Sequence, residues 1–203
     1  MQIKTIIVEG DIPEYQIRGL ENLKGINILL LTESYVAENL VKNNPMIQLD
    51  EVAKEFPNKL ILKFKSIVPL AAVKLNEGYA LLSEDAKILK KSKTTRNLPI
   101  INFYQRLDYY QIVPGNKLDY KEIVTTLTLL KKSQDLNLKV ESIDIGGLSM
   151  IEFNLNAKKI IFTAEKDKKI QNFELETIMK QFKIEAKDFK ELDLRFDKPI
   201  VRF

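Results

Sequence analysis

The chain has 203 residues, of which 45% are hydrophobic and 30% charged, and its formal net charge is +4. This composition is typical of globular domains and excludes a disordered chain, and the length allows one large domain or two small ones. The absence of cysteine and histidine excludes thiol and imidazole nucleophiles, zinc sites built from those residues and the serine–histidine catalytic triad.

The first part of the chain predicts one strand followed by two short helices. Ile3 to Val8 is rich in isoleucine and valine and runs into a turn at Gly10. A helical pattern follows over Glu14 to Leu23, and a second helix is expected to begin at Thr32, a residue type that caps helix N-termini. The face of this second helix that is expected to point inward carries Val36, Leu40 and Val41.

Two strands are predicted next, before the pattern changes. Met46 to Phe56 and Lys59 to Ile67 flank the turn residues Pro57-Asn58, and the second of them alternates apolar and polar side chains. Beyond Val68-Pro69 the helical patterning gives way to repeated short strands. We therefore place a domain boundary there, between residues 1–68 and 69–203.

The second domain is predicted to contain many short strands and two helices, which gives an α+β fold with an extended, mainly antiparallel sheet. A helix should start at Asp119, with Glu122 completing a capping box. Another is expected over Asn172 to Phe182, with Phe173, Ile178, Met179 and Phe182 facing inward. The predicted strands are Leu70 to Leu75, Tyr79 to Ser83, Leu98 to Tyr104, Leu138 to Ile145, Leu148 to Leu155, Lys159 to Ala164, Lys190 to Phe196 and Ile200 to Phe203.

Basic residues are densest in the segment between two of these strands, which is expected to be a loop. The residues are Lys87, Lys90, Lys91, Lys93 and Arg96. They could touch phosphate groups electrostatically, but a short lysine run is more often a solvated loop. No sequence-specific binding of nucleic acid is expected.

No set of residues predicts catalysis, a metal site or a cofactor. Asp193, Arg195 and Asp197 could form a carboxylate pair with a cationic clamp, but alternation along one strand face explains them through cross-strand pairing. Gly146-Gly147 lacks the further glycine and helix start of a phosphate-binding loop and is expected to form a hairpin turn. We therefore expect a protein that is not an enzyme.

The chain shows no membrane-spanning segment and no signal peptide. Its best apolar run, Ile26 to Leu31, is far shorter than the roughly 20 residues that a membrane helix needs. Met1 leads almost directly into the first strand. As written, the chain is expected to be soluble.

The order of elements in the first domain resembles a POTRA domain (β-α-α-β-β), and particular motifs resemble the FtsQ/DivIB family along essentially the whole chain. The motifs are Val8-Glu9-Gly10, Leu23-Lys24-Gly25-Ile26-Asn27-Ile28-Leu29, Asn44-Pro45-Met46-Ile47, Phe56-Pro57-Asn58-Lys59-Leu60-Ile61-Leu62, Val68-Pro69-Leu70-Ala71 and Glu191-Leu192-Asp193-Leu194-Arg195-Phe196-Asp197. The sequence departs from the family pattern at Ser66-Ile67, where a Glu-Arg pair is common, and at the turn Ser83 to Lys87.

The resemblance implies a cell-division scaffold without cofactors. Family members are single-pass proteins of the cell membrane whose POTRA and β domains lie on the extracytoplasmic side. The membrane helix would therefore precede the present chain. The implied partners are FtsB/DivIC-like and FtsL-like division proteins, with further divisome proteins bound through the POTRA domain. The alternative is a POTRA-containing binding module of another envelope-assembly or secretion system.

The last strand offers a physical route to partner binding. Ile200 to Phe203 has no later strand in the chain to pair with, so one of its edges is expected to stay open and to accept a strand from a partner. Basic side chains nearby could meet acidic residues of that segment. The predicted partner-binding residues are Arg195, Phe196, Lys198, Ile200, Val201, Arg202 and Phe203.

Overall fold

The computed structural model describes all 203 residues, which form two compact units, Met1–Val68 and Pro69–Phe203. Helices and strands occur together in both units, so the predicted α+β class is confirmed. The identification of the first unit as a POTRA domain and of the second as an FtsQ/DivIB-type β domain stays a prediction.

The first unit is a three-stranded sheet with one α-helix. Its elements in chain order are β1 (Thr5–Gly10), α1 (Glu33–Leu40), β2 (Ile47–Glu55) and β3 (Lys59–Ser66). β3 lies in the middle of the sheet, parallel to β1 and antiparallel to β2. Its alternate residues Leu60, Leu62 and Phe64 are fully buried in the core of this unit.

Of the two helices predicted in this unit, only the second is an α-helix. The Thr32 hydroxyl oxygen accepts a hydrogen bond from the Tyr35 N–H at 3.2 Å, which confirms the predicted cap. Residues Glu14–Gln16 and Leu20–Leu23 form two short 3-10 segments instead of the first helix. The reason is local, because Ile17 is extended between them and Gly19 is left-handed at φ +92°.

The glycine that ends β1 is required by the parallel pairing with β3. A Cβ atom on Gly10 would lie 1.9 Å from the Phe64 carbonyl oxygen, and its φ of +117° is one that other residues avoid. We expect Gly10→Ala to lower the free energy of unfolding by about 2 kcal/mol. Denaturant unfolding of the two proteins measures this difference, and Gly25→Ala is the matched control, since Gly25 is also left-handed but has open space around it. Equal losses in the two variants would attribute the effect to backbone conformation instead of the clash.

The second unit is built on a nine-stranded sheet with two helices. Its strands are β4 (Ala71–Lys74), β5 (Tyr79–Leu82), β6 (Ile88–Ser92), β7 (Ile100–Phe103), β8 (Ser142–Ile145), β9 (Met150–Leu155), β10 (Lys158–Thr163), β11 (Glu191–Asp193) and β12 (Ile200–Arg202), and its helices are α2 (Lys121–Asp135) and α3 (Lys168–Glu185). The spatial order is β12-β11-β10-β9-β8-β7-β4-β5-β6. Neighbouring strands are antiparallel except for the pairs β10–β11, β7–β8 and β4–β7, so the sheet is mixed and mainly antiparallel.

One face of this sheet is packed and the other is polar in its central part. Inward residues such as Phe153 and Phe162 share one buried cluster with Leu127 of α2 and Leu175 of α3. The alternate residues point to the other face. There the Asp144 carboxylate accepts hydrogen bonds of 2.7 Å from the amides of Asn102 and Asn154.

Three predictions for the helices of this unit are wrong in detail. α2 begins at Lys121 without a side-chain cap, so the capping box at Asp119 does not form. α3 begins at Lys168, earlier than expected, because the Asp167 carboxylate accepts a hydrogen bond from the Lys169 N–H at 2.6 Å. Phe173, predicted to face inward, is 70% exposed, whereas Leu175 is fully buried.

The strands depart from the prediction in three main places. The strand predicted over Leu138 to Ile145 begins only at Ser142. The basic segment was expected to be a loop, yet Ile88–Ser92 forms β6, anchored by the buried Ile88 and Leu89. The strand predicted over Lys190 to Phe196 ends at Asp193. The hairpins at Gly146-Gly147 and Asn156-Ala157 and the closing hairpin β11–β12 are confirmed. None of the helices is both long and apolar enough to span a membrane.

Candidate protein-binding edge

β12 lies at one end of the nine-stranded sheet and pairs with β11 alone. The Lys190 N–H donates to the Arg202 carbonyl at 2.8 Å, so the peptide groups of Arg202 face β11. Peptide groups of successive residues point to opposite edges of a strand. The N–H and C=O of Val201 therefore face away from β11, where no strand of the chain pairs with them.

The opposite end of the sheet is occupied. At β6 the Ile88 N–H donates to the Asn116 carbonyl at 2.8 Å, and the Gly115 N–H donates to the Ile88 carbonyl at 2.7 Å. The Lys91 ammonium also donates to the Tyr109 carbonyl at 3.0 Å. The segment that follows β7 thus covers the beginning of this edge, as natural sheets commonly do, whereas no segment of the chain pairs with the outer edge of β12.

Beside β12, the turn that precedes it carries a short-range ion pair. The Arg195 guanidinium donates two hydrogen bonds to the Asp193 carboxylate, from Nε at 3.0 Å and from Nη2 at 2.7 Å. Burial raises the pKa of the Asp193 carboxyl, but the hydrogen bonds from Arg195 outweigh it and leave this pKa below its ordinary value. Arg195 is therefore already paired within the protein.

This pair corrects the expectation that Asp193, Arg195 and Asp197 alternate on one strand face. β11 ends at Asp193, and the chain turns there so that the Arg195 side chain folds back onto Asp193. The Arg195 Nη1 also lies 3.7 Å from the Met150 sulfur. A mutation of Arg195 would disturb this packing as well as any contact with a partner.

A half-buried lysine fixes the backbone of the same turn. The Lys166 ammonium donates to the Leu194 carbonyl at 3.2 Å and to the Phe196 carbonyl at 2.7 Å. It also forms a salt bridge of 2.7 Å with Glu174 of α3, and the two side chains are only 13% and 17% exposed. In this turn the Phe196 side chain is 51% exposed to solvent. The Arg195 guanidinium carbon lies 5.3 Å from the centre of the Phe196 ring.

The seven predicted partner-binding residues lie together in this turn and strand, though not with equal access. Those whose side chains are exposed are Phe196, Lys198, Ile200, Arg202 and Phe203. Val201 is half-buried and packs against the core, so its backbone and not its side chain is available. Nothing in the sequence indicates the role of Lys166 and Glu174, which lie about 20 to 30 residues before the turn along the chain and meet it only in the folded structure.

A cleft lined by several basic residues lies beside the C-terminal end of β12. It is lined by Lys158, Lys159, Lys190, Arg202, Glu191 and Phe203, together with Asn154, Asn156 and Ala157. The Arg202 guanidinium lies 3.2 Å from Glu191, and the Lys190 ammonium donates to the Phe203 carbonyl at 3.1 Å. Four of these lining residues are cationic and one is anionic, but Lys158, Lys159 and Arg202 are already in salt bridges with carboxylates, so Lys190 is the cation of the cleft that no acidic side chain pairs.

Fold and edge together describe an α+β protein with an unpaired sheet edge, the feature to which extended segments of other proteins bind. No family model matches the chain. It is 24% identical over 161 residues to the cell division protein DivIB of Clostridium botulinum, which covers 76% of this chain and 62% of that protein. It is also 24% identical over 170 residues to the DivIB of Clostridium tetani, which covers 81% of this chain and 61% of that protein.

These relatives confirm the predicted resemblance to the FtsQ/DivIB family of cell-division proteins. The chain spans less than two thirds of the length of the curated relatives that it matches.

Proposed function

We propose that the chain acts in cell division as a scaffold that binds an extended segment of a partner beside β12 and has no catalytic role. The observation that carries this proposal is the unpaired peptide group of Val201 at an uncovered edge, whereas the other edge of the same sheet is occupied. A strand added there gains main-chain hydrogen bonds whatever its side chains are. The relatives, all named as cell division proteins, support the cellular role.

Side chains around the edge define what the partner segment should look like. Phe196 and Ile200 are about half exposed at one end of β12 and favour an apolar residue of the segment. At the other end the Lys190 ammonium, which no acidic side chain pairs, favours an acidic residue. We propose FtsB/DivIC-like and FtsL-like division proteins as the partners, and contacts of the first unit with further divisome proteins. A membrane helix that precedes this segment would hold it on the extracytoplasmic side.

The proposal is tested with the extracytoplasmic region of the DivIC-like protein from the same genome. Calorimetric titration should show binding to the parent and about tenfold weaker binding to Phe196→Ser, because an exposed aromatic anchor is lost. Leu148→Ser is the matched control, since Leu148 is fully exposed in the β8–β9 turn and is expected to be neutral. Equal affinity for the parent and Phe196→Ser, with both proteins folded by circular dichroism, would place the partner elsewhere.

A further inference from the structure

The outer face of α3 carries a line of exposed apolar side chains. Ile170, Phe173 and Ile184 are 52%, 70% and 85% exposed. With a turn of about 100° per residue, these positions lie within about 60° of one another on the helix surface. Thr177 and Lys180 are also exposed and complete the line, which we call the α3 stripe.

The stripe is held rigidly, because the opposite face of α3 is fixed to the rest of the unit. Gln171 and Leu175 are fully buried. The Gln171 amide donates to the Thr163 carbonyl at 2.8 Å and accepts a hydrogen bond from the Thr163 N–H at 3.0 Å. Glu176 pairs with Lys132 of α2. Ile178, Met179 and Phe182 pack against the core further along the helix, so the exposed apolar residues lie on a helix that is packed along its length.

The spacing of the residues in the stripe indicates which structural element would pack against it. Its five positions, 170, 173, 177, 180 and 184, are separated by three, four, three and four residues. This is the spacing of the contact positions in a two-helix coiled coil. The stripe is about 21 Å long at 1.5 Å per residue, which suits one further helix of four turns.

The charged side chains beside the α3 stripe indicate which kind of helix would bind to it. Lys169 and Lys183 lie on one flank of the stripe and form no salt bridge, while Lys180 is paired with Glu176 at 2.6 Å. On the other flank the Glu174 carboxylate is already bound to Lys166. Free positive charge thus remains on one side, where acidic residues of an incoming helix would complement it. A second copy of α3 packed antiparallel would instead bring Lys169 close to Lys183 of its partner.

We propose that the α3 stripe binds an amphipathic helix of a partner protein, one with apolar residues at heptad spacing and acidic residues opposite Lys169 and Lys183. This binding differs from strand addition at β12, because it uses helix side chains and no unpaired backbone. It therefore does not depend on the proposed function, and the two surfaces can be tested separately.

The probe is a synthetic helix of about four heptads with leucine at the contact positions and glutamate at the flanking positions. Fluorescence anisotropy of the labelled peptide should show binding to the full chain, and about tenfold weaker binding to Phe173→Ser. Ile184→Ser repeats the test at the other end of the stripe. Leu148→Ser should bind like the parent. A peptide of the same composition with shuffled order, and one with lysine in place of glutamate, should bind at least about tenfold more weakly.

Several results would overturn the proposal. They are no binding of the acidic peptide, equal binding to the parent and to both stripe variants, and equal binding of the shuffled or lysine peptides. A dimer in sedimentation experiments that Phe173→Ser dissociates would show that a second copy covers the stripe. Binding of the parent, but not of Phe173→Ser, to vesicles of anionic lipid would assign the stripe to a membrane surface. Circular dichroism of each variant confirms that it is folded, which is expected because the substituted side chains are exposed.

Discussion

Proline at position 201 is expected to weaken binding of the partner segment by about a hundredfold. The Val201 N–H is the donor that β12 offers at its open edge, and proline lacks this donor and places its ring where the incoming strand would lie. Alanine at the same position keeps the N–H and should bind within about threefold of the parent. Calorimetric titration of the three proteins with the DivIC-like partner measures the difference.

The alanine variant is also the control for folding. The Val201 side chain packs against the core, so both substitutions reduce this contact and both should lose some stability. A folded proline variant that binds as well as the alanine variant would rule out strand addition at this residue. Removing β12 altogether is a less clean test, because it would uncover β11 and create another open edge.

Replacing Lys166 with methionine is expected to lower the free energy of unfolding by about 3 kcal/mol. The substitution leaves the half-buried Glu174 carboxylate without its cation and leaves the Leu194 and Phe196 carbonyls without a donor. Unpaired buried charges and acceptors cost more than the net stabilisation of the intact pair. Chemical denaturation with a single fluorescence or circular dichroism probe gives the value.

The double variant Lys166→Met, Glu174→Gln separates the two causes. Removing the carboxylate charge should recover at least about 1 kcal/mol of the loss, although the two carbonyls stay unpaired. The turn should also loosen, so the partner is expected to bind the single variant more weakly than the parent. A loss below about 0.5 kcal/mol would mean that the salt bridge is no stronger than an exposed one.

Much of the fold could be predicted because its signals are local. The alternation in β3 and the cap at Thr32 depend on neighbouring residues, and both are found where the pattern places them. The first predicted helix failed since apolar periodicity over Glu14 to Leu23 does not show that Gly19 is left-handed. β6 was missed because the lysines in and beside it were taken as a polar loop, although the adjacent Ile88 and Leu89 are buried in the core.

The candidate site, too, could be predicted from the sequence only in part. The sequence shows only that β12 has no later strand to pair with, and the topology places it at an edge of the sheet. The engagement of Arg195 by Asp193 could not be predicted, because it requires β11 to end at Asp193 and the chain to turn. The exposure of Phe173 could have been predicted, because at about 100° per residue Phe173 lies roughly 180° around the helix from Phe182, whereas the buried Leu175 shares the face of Phe182.

The difference between the two ends of the nine-stranded sheet limits how many partners it can take. The segment around Asn116 occupies the outward peptide groups of Ile88 in β6, whereas no segment of the chain pairs with the open edge of β12. In the proposed binding mode one copy of this unit would therefore add one foreign strand, at β12. Such strand addition would be monovalent and would cap an assembly at a fixed stoichiometry instead of letting it extend into a fibre.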